Sequence, residues 1–217
     1  MKGLLIKDFK LMKGQKTFFI LIVAISAGIA AFSDNPSFII NFLPFVLSLF
    51  TLSTISYDEF DNGNAFLFTL PVSRASYTVE KYCLAGLLGG GAWILATLFA
   101  MIFGILKETT AISEIAMTAV MILPVLIVIQ AVMIPFQLKF GGEKGRIALI
   151  GALGLLFLTG IIVVKAAQIF GIDIENMISH LPTVSMGILV TALMTAAVVI
   201  LLISAKISIS VMKNKEF

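Results

Sequence analysis

The chain has one cysteine, Cys83, and one histidine, His180, in 217 residues. A single thiol excludes an internal disulfide framework and any cysteine-built metal site. A single imidazole has no second histidine with which to share a metal, and no serine–histidine–carboxylate spacing surrounds it. Charge is scarce as well: Asp, Glu, Lys and Arg make up 12% of the residues, where a soluble domain has about 25%. No Asp or Glu lies in the middle of a long apolar run, so the carboxylate that a proton- or sodium-coupled carrier uses is missing. Gly141-Gly142-Glu143-Lys144-Gly145-Arg146 lacks the GxxxxGK[ST] spacing and follows no buried strand, which excludes a phosphate loop.

Apolar residues are what the chain does have, at 59%, with a mean hydropathy of +1.10. Runs of about 20 apolar residues, the length a helix needs to cross a bilayer, recur along it. The reading is an all-α polytopic membrane protein with six transmembrane helices, at about 17–32, 38–56, 82–106, 113–137, 147–169 and 185–210. The whole chain, 1–217, is one transmembrane domain. No small-x-small cleavage pattern follows the first run, so a cleavable signal peptide is not expected. Pro44, Pro124 and Pro135 fall inside spans and each removes one helical hydrogen bond. The two three-span halves show no visible repeat.

Residues 1–16 carry Lys2, Lys7, Lys10, Lys13 and Lys16. They read either as an amphipathic helix lying in the headgroup layer or as a plain topogenic lysine cluster. With six spans, every Lys and Arg except Lys107 and Lys165 falls on one face. By the positive-inside rule that face is cytoplasmic, with both termini on it. Lys165 reads as a snorkelling side chain, and Gln130 and Gln168 as interhelical hydrogen-bonders or cavity residues. Gly86 and Gly90 have the GxxxG spacing, which lets helix backbones approach within one protomer or across a dimer.

The segment 57–81, which closes on Tyr82, is a charged stretch between two long apolar runs. It reads YDEFDNGNAFLFTLPVSRASYTVEK. Asp58 or Asp61 fits the N-cap of a short helix, and Ser73 the N-cap of a second helix that runs into the third span. Two such helices along the membrane, with acids, aromatics and Arg74, would give another protein a surface to grip. The same residues also fit an ordinary solvated loop with helix caps.

The order Asp58-Glu59, Gly63, Phe68-Thr69-Leu70-Pro71-Val72-Ser73-Arg74 and Glu80-Lys81-Tyr82 resembles the segment before the third span of ABC type-2 transporter permeases. The opening Leu5-Ile6-Lys7-Asp8-Phe9, the six spans and the short loops extend the resemblance over the whole chain. It is nearest to small bacterial permeases that export bacteriocins, lantibiotics or cytolytic peptides, including the phenol-soluble modulin exporter. The resemblance implies a permease subunit, not itself an enzyme, driven by two copies of a separate ATPase subunit that holds the ATP and magnesium. It also implies a second permease copy or paralogue, a bacterial plasma membrane, and an amphipathic antimicrobial or cytolytic peptide as cargo; no nucleic-acid partner is expected. By position, Asp58, Glu59, Phe60, Asp61, Asn62 and Gly63 would touch the ATPase as a coupling helix. Leu70, Pro71, Ser73 and Arg74 would shape the turn, and residues 1–16 would be the interfacial helix. The rival reading is an immunity-type membrane protein or scaffold that sequesters a toxic peptide without ATP-driven transport.

Overall fold

The computed structural model describes residues 2–33, 36–60, 63–108, 110–142 and 185–215, with isolated helical positions between 144 and 165. Regular structure among the described residues is all helical: α1 Lys2–Gly14, α2 Lys16–Phe32, α3 Phe38–Glu59, α4 Gly63–Leu67, α5 Arg74–Lys107, α6 Ile112–Phe140 and α7 Met186–Lys213. Four of these, α3, α5, α6 and α7, are long and apolar enough to cross a membrane. The α1–α2 pair supplies a fifth crossing if it counts as one span, and it bends by 69° at its break. The fifth span expected at 147–169 and the loop at 171–184, with His180, fall largely or wholly outside the described residues.

The helix boundaries follow from local chemistry. Ser73 is extended and its hydroxyl accepts the Ser76 N–H at 3.1 Å, starting α5 as an N-cap. Helix α6 ends at Gly141, whose φ of +81° favours glycine. The bend between α1 and α2 falls at Gln15, whose side-chain amide donates to the Tyr57 hydroxyl at 2.7 Å. That bond ties the elbow to the last turn of α3.

Helix α3 is the centre of the bundle, packing on α2, α5 and α6, while α7 lies against α5 and α6. Ile39, Ile40, Leu43 and Leu47 of α3 meet Ala92, Ala96 and Ala100 of α5 in one core, closed by Ile115 and Ala119 of α6. A second core at the opposite end joins Leu4, Ile55, Tyr77, Ala85, Ile134, Leu138 and Met212. Polar side chains stitch the helices between these cores. Gln130 donates to the Ala85 carbonyl at 3.2 Å and Trp93 to the Ala119 carbonyl at 2.8 Å. The Tyr82 hydroxyl lies 2.6 Å from Ser204 and 2.8 Å from Ser208 of α7. Gln130 thus has the interhelical role read from the sequence.

The small-residue face of α5 is not the one the GxxxG spacing marks. Ala85, Gly89, Ala92, Ala96, Ala100 and Gly104 are its buried small residues, and their three- and four-residue steps form one stripe. A Cβ at Gly89 would sit 2.8 Å from the Gln130 amide nitrogen and 3.4 Å from the Ser48 Cβ. Gly86 and Gly90 face elsewhere, with nothing within 4 Å of a Cβ built on either. Close approach inside the protomer is therefore made at Gly89, one residue before Gly90, and not at Gly86 or Gly90. Gly89→Val is expected to overpack this contact at about 1–3 kcal/mol and lower the thermal midpoint of the detergent-purified monomer. Gly86→Val should leave that midpoint unchanged, and equal losses in the two variants would refute the assignment.

Candidate partner-binding face and the ion pairs beneath it

Helices α1, α3 and α5 converge at one end of the bundle, and their charges meet in its interior. Leu4 and Asp8 stand one turn apart on α1 and both are buried. This face carries an acid into the bundle, while most of the lysines of α1 stay at the surface. Lys81 of α5 is fully buried, with its ammonium 2.5 Å from Asp8 and 2.8 Å from Asp58. It also donates to the Thr54 hydroxyl at 3.1 Å and lies 5.1 Å from the centre of the Tyr77 ring. Asp58 in turn accepts from Lys7 and, at 3.1 Å, from the Tyr77 hydroxyl. Lys7 closes the loop at 3.1 Å from Asp8. Three helices are thus joined through one ammonium.

Glu80, also buried, adds a third carboxylate with an oxygen 3.7 Å from Lys81. Neither of its oxygens has a hydrogen-bond partner among the described residues. The cluster thereby carries more acid than base, and Lys81 is the side chain that holds it together. Removing one member of a buried charge set leaves the others uncompensated, which typically costs about 3–5 kcal/mol.

Asp58 therefore does not cap a helix, as the sequence allowed. It lies in the last turn of α3 and its carboxylate turns inward. Gly63 opens α4 where a Cβ would come within 2.8 Å of the Asp58 carbonyl oxygen, so only glycine fits there without a shift. Glu59, the next residue, points to the other side. It accepts from Lys215 at 2.7 Å and from the Gly142 N–H at 3.0 Å. Arg74 donates to the carbonyls of Met212, Lys213 and Lys215 at 3.1, 2.8 and 2.6 Å, with its guanidinium 5.7 Å from the Phe68 ring centre.

Among the described residues, the large side chains that remain outward are apolar. Phe60 and Phe66 are 73% and 71% exposed, and Leu70 and Tyr57 about half exposed. Thr69 and Pro71 are exposed beside Leu70, and the Val72 N–H bonds the Leu70 carbonyl at 2.6 Å across Pro71, a three-residue turn. Leu67, Phe68 and Val72 turn inward onto the second core. Of the residues singled out from the sequence, Asp58, Glu59 and Arg74 are engaged within the chain, Phe60, Leu70 and Pro71 are presented to the surroundings, and Ser73 caps α5. Asp61 and Asn62 lie outside the described residues. Lys7 and Asp8 entered only as part of the opening Leu5–Phe9, and Thr54 and Tyr77 were not singled out. The one available signal was Asp8, the lone acid among five lysines in 1–16.

A family model described as ABC-2 family transporter protein matches residues 3–213, nearly the whole chain. The chain belongs to the ABC-2 transporter family. No curated protein and no solved structure matches it. Membership makes it a multi-pass membrane component of a transporter, a permease subunit whose family implies a partner ATPase.

Lys81→Met strands Asp8 and Asp58, and is expected to abolish the monodisperse peak in size-exclusion chromatography or lower the thermal midpoint sharply. Adding Asp8→Asn and Asp58→Asn to Lys81→Met should restore much of the loss, because neutral amides carry no uncompensated charge. A triple variant no better than the single one would show that the pairing does not hold these helices.

Proposed function

We propose that this ABC-2 permease subunit exports an amphipathic peptide, and that the face formed by Phe60, Phe66, Leu70 and Pro71 docks in the ATPase subunit. The observation that carries the docking reading is the exposure of two phenylalanines in the segment that follows Asp58 of the buried ion-pair cluster. Exposed aromatics on an anchored segment have the character of interface anchors. Asp61, Asn62 and Gly63 extend the contact, while Asp58, Glu59, Ser73 and Arg74 hold and shape the segment behind it. Two ATPase copies bind ATP and magnesium, and their closure pushes on this segment in each of two permease copies or paralogues. The lysine-rich face is cytoplasmic, with α1 lying in the headgroup layer against anionic lipid.

Peptide cargo rests on the resemblance to small bacterial exporters and on spans rich in Phe and Met with few charges. Such surfaces suit an amphipathic substrate drawn from the inner leaflet. Efflux of a labelled amphipathic helical peptide from cells carrying this chain and its ATPase should exceed that from cells with a hydrolysis-dead ATPase. Equal efflux from both would remove ATP-driven peptide export.

The docking face is tested by Phe60→Asp with Phe66→Asp, purified in mild detergent with the ATPase subunit. These side chains touch nothing essential to the bundle, so the thermal midpoint should hold. The amount of co-purifying ATPase should fall about tenfold or more, as loss of two hot-spot aromatics predicts. Undiminished co-purification would place the ATPase elsewhere.

A further inference from the structure

Beyond α7 the chain returns to the partner-binding segment. Lys215 donates to Glu59 at 2.7 Å and to the Leu138 carbonyl at 2.8 Å, so one ammonium bridges the last turn of α3 and the last turn of α6. The second Glu59 oxygen accepts the Gly142 N–H just past α6. A Cβ at Gly141 would stand 2.9 Å from that oxygen, so the glycine lets the carboxylate approach. From the other side, Arg74 at the first residue of α5 takes three carbonyls at and beyond the end of α7.

Each of these cations sits where helix carbonyls point outward without intrahelical partners, the place where a positive charge is favoured. Lys215 serves the end of α6 in this way and Arg74 the end of α7. The ends of α3, α6 and α7 and the start of α5 are thereby pinned to one another by charge-assisted bonds, which are short and stronger than neutral ones. Glu59 and Arg74 bracket 60–73 in sequence, so both ends of the exposed segment are fastened to the residues that follow α7.

We propose that Lys215, through Glu59, is a positioning residue of a clasp that carries displacement of the 60–73 segment into α7. The proposal rests on the docking reading above for the origin of that displacement. The clasp itself is a property of the chain alone. Helix α7 suits the receiving role because, among the described residues, its first half buries only Ala197 while Ser204, Ser208 and Met212 are buried near the clasp. Among the described residues it is held at one end and more loosely packed toward the other.

Two measurements test this with Lys215→Met and the conservative Lys215→Arg, whose guanidinium still reaches both acceptors. In the detergent-purified chain, hydrogen–deuterium exchange should accelerate about tenfold in Lys215→Met, both at 63–70 and at 208–215, as expected for local opening. Lys215→Arg should stay near the parent. Acceleration confined to 208–215 would make Lys215 a local helix-end contact and overturn the clasp.

In the complex with its ATPase, Ser185→Cys at the far end of α7 is placed in a Cys83→Ser background. Maleimide labelling is then compared without nucleotide and after vanadate trapping with ATP. Lys215→Met should keep the ATPase bound and hydrolysing while the nucleotide-dependent change in labelling shrinks about fivefold or more, with Lys215→Arg retaining it. A full nucleotide-dependent change in Lys215→Met would overturn transmission through the clasp. Failure of the parent chain to bind the ATPase would instead remove the docking reading, and the exchange experiment would still decide the clasp.

Discussion

The end of the bundle that carries the candidate site depends on Lys81, an ammonium removed from water and shared by Asp8 of α1 and Asp58 of α3. An isolated buried ammonium is too costly to persist charged, so the three side chains exist in these places only together. Arrangement follows from that dependence. Helix α1 must lay its Asp8 face against the start of α5, and the last turn of α3 must stop where Asp58 meets the same ammonium. The Gln15–Tyr57 bond then fixes the elbow into α2. Such a pairing adds little net stability over a well-packed apolar contact, but it tolerates few alternative registers. The buried charges therefore fix the register of these helices more than they add to stability.

Asp58 and Glu59 are neighbours on one helix, and the turn of about 100° between successive residues sends them to different structures. Asp58 goes inward to α1 and α5, and Glu59 goes outward to α6 and the residues beyond α7. The last turn of α3 is therefore the junction of two charge sets that share no side chain. With Asp58 and Glu59 occupied, Phe60, Phe66 and Leu70 are the large side chains left exposed among the described residues of the 60–73 segment. The polarity of these two acids is spent on internal fastening.

Much of the architecture was legible in the sequence because bilayer crossing imposes a length and a polarity that few other structures share. Helices α3, α5, α6 and α7 contain the apolar runs expected for them, and Ser73 starts α5 as its position before Arg74 indicated. The site was legible as a stretch but not as a geometry. Acids on a charged loop read as a surface for a partner, and what sequence alone does not carry is that Lys7, Lys81 and Lys215 lie within reach of them. Contacts of this kind span 51, 23 and 156 residues, set by how helices pack and not by local pattern. The glycines show a related limit: Gly86 and Gly90 meet nothing inside the protomer among the described residues. GxxxG marks a face without saying which neighbour occupies it, and α6 approaches through Gln130 at Gly89.

Anchoring is also unequal along the last helix, and this bears on how a membrane protein with short loops moves. Tyr82 meets Ser204 and Ser208, and Ser204 donates to the Ala131 carbonyl, all within the half of α7 nearest the charged end. In lipid, where apolar packing between helices has no solvent-driven term, such polar contacts weigh more in deciding which surfaces stay together. Ile188, Leu189, Leu193, Val198 and Val199 in the far half of α7 are exposed to its surroundings, and such side chains can exchange neighbours at little cost. Among the described residues, attachment at the charged end and apolar contacts at the other leave the far half of α7 freer to move than its base.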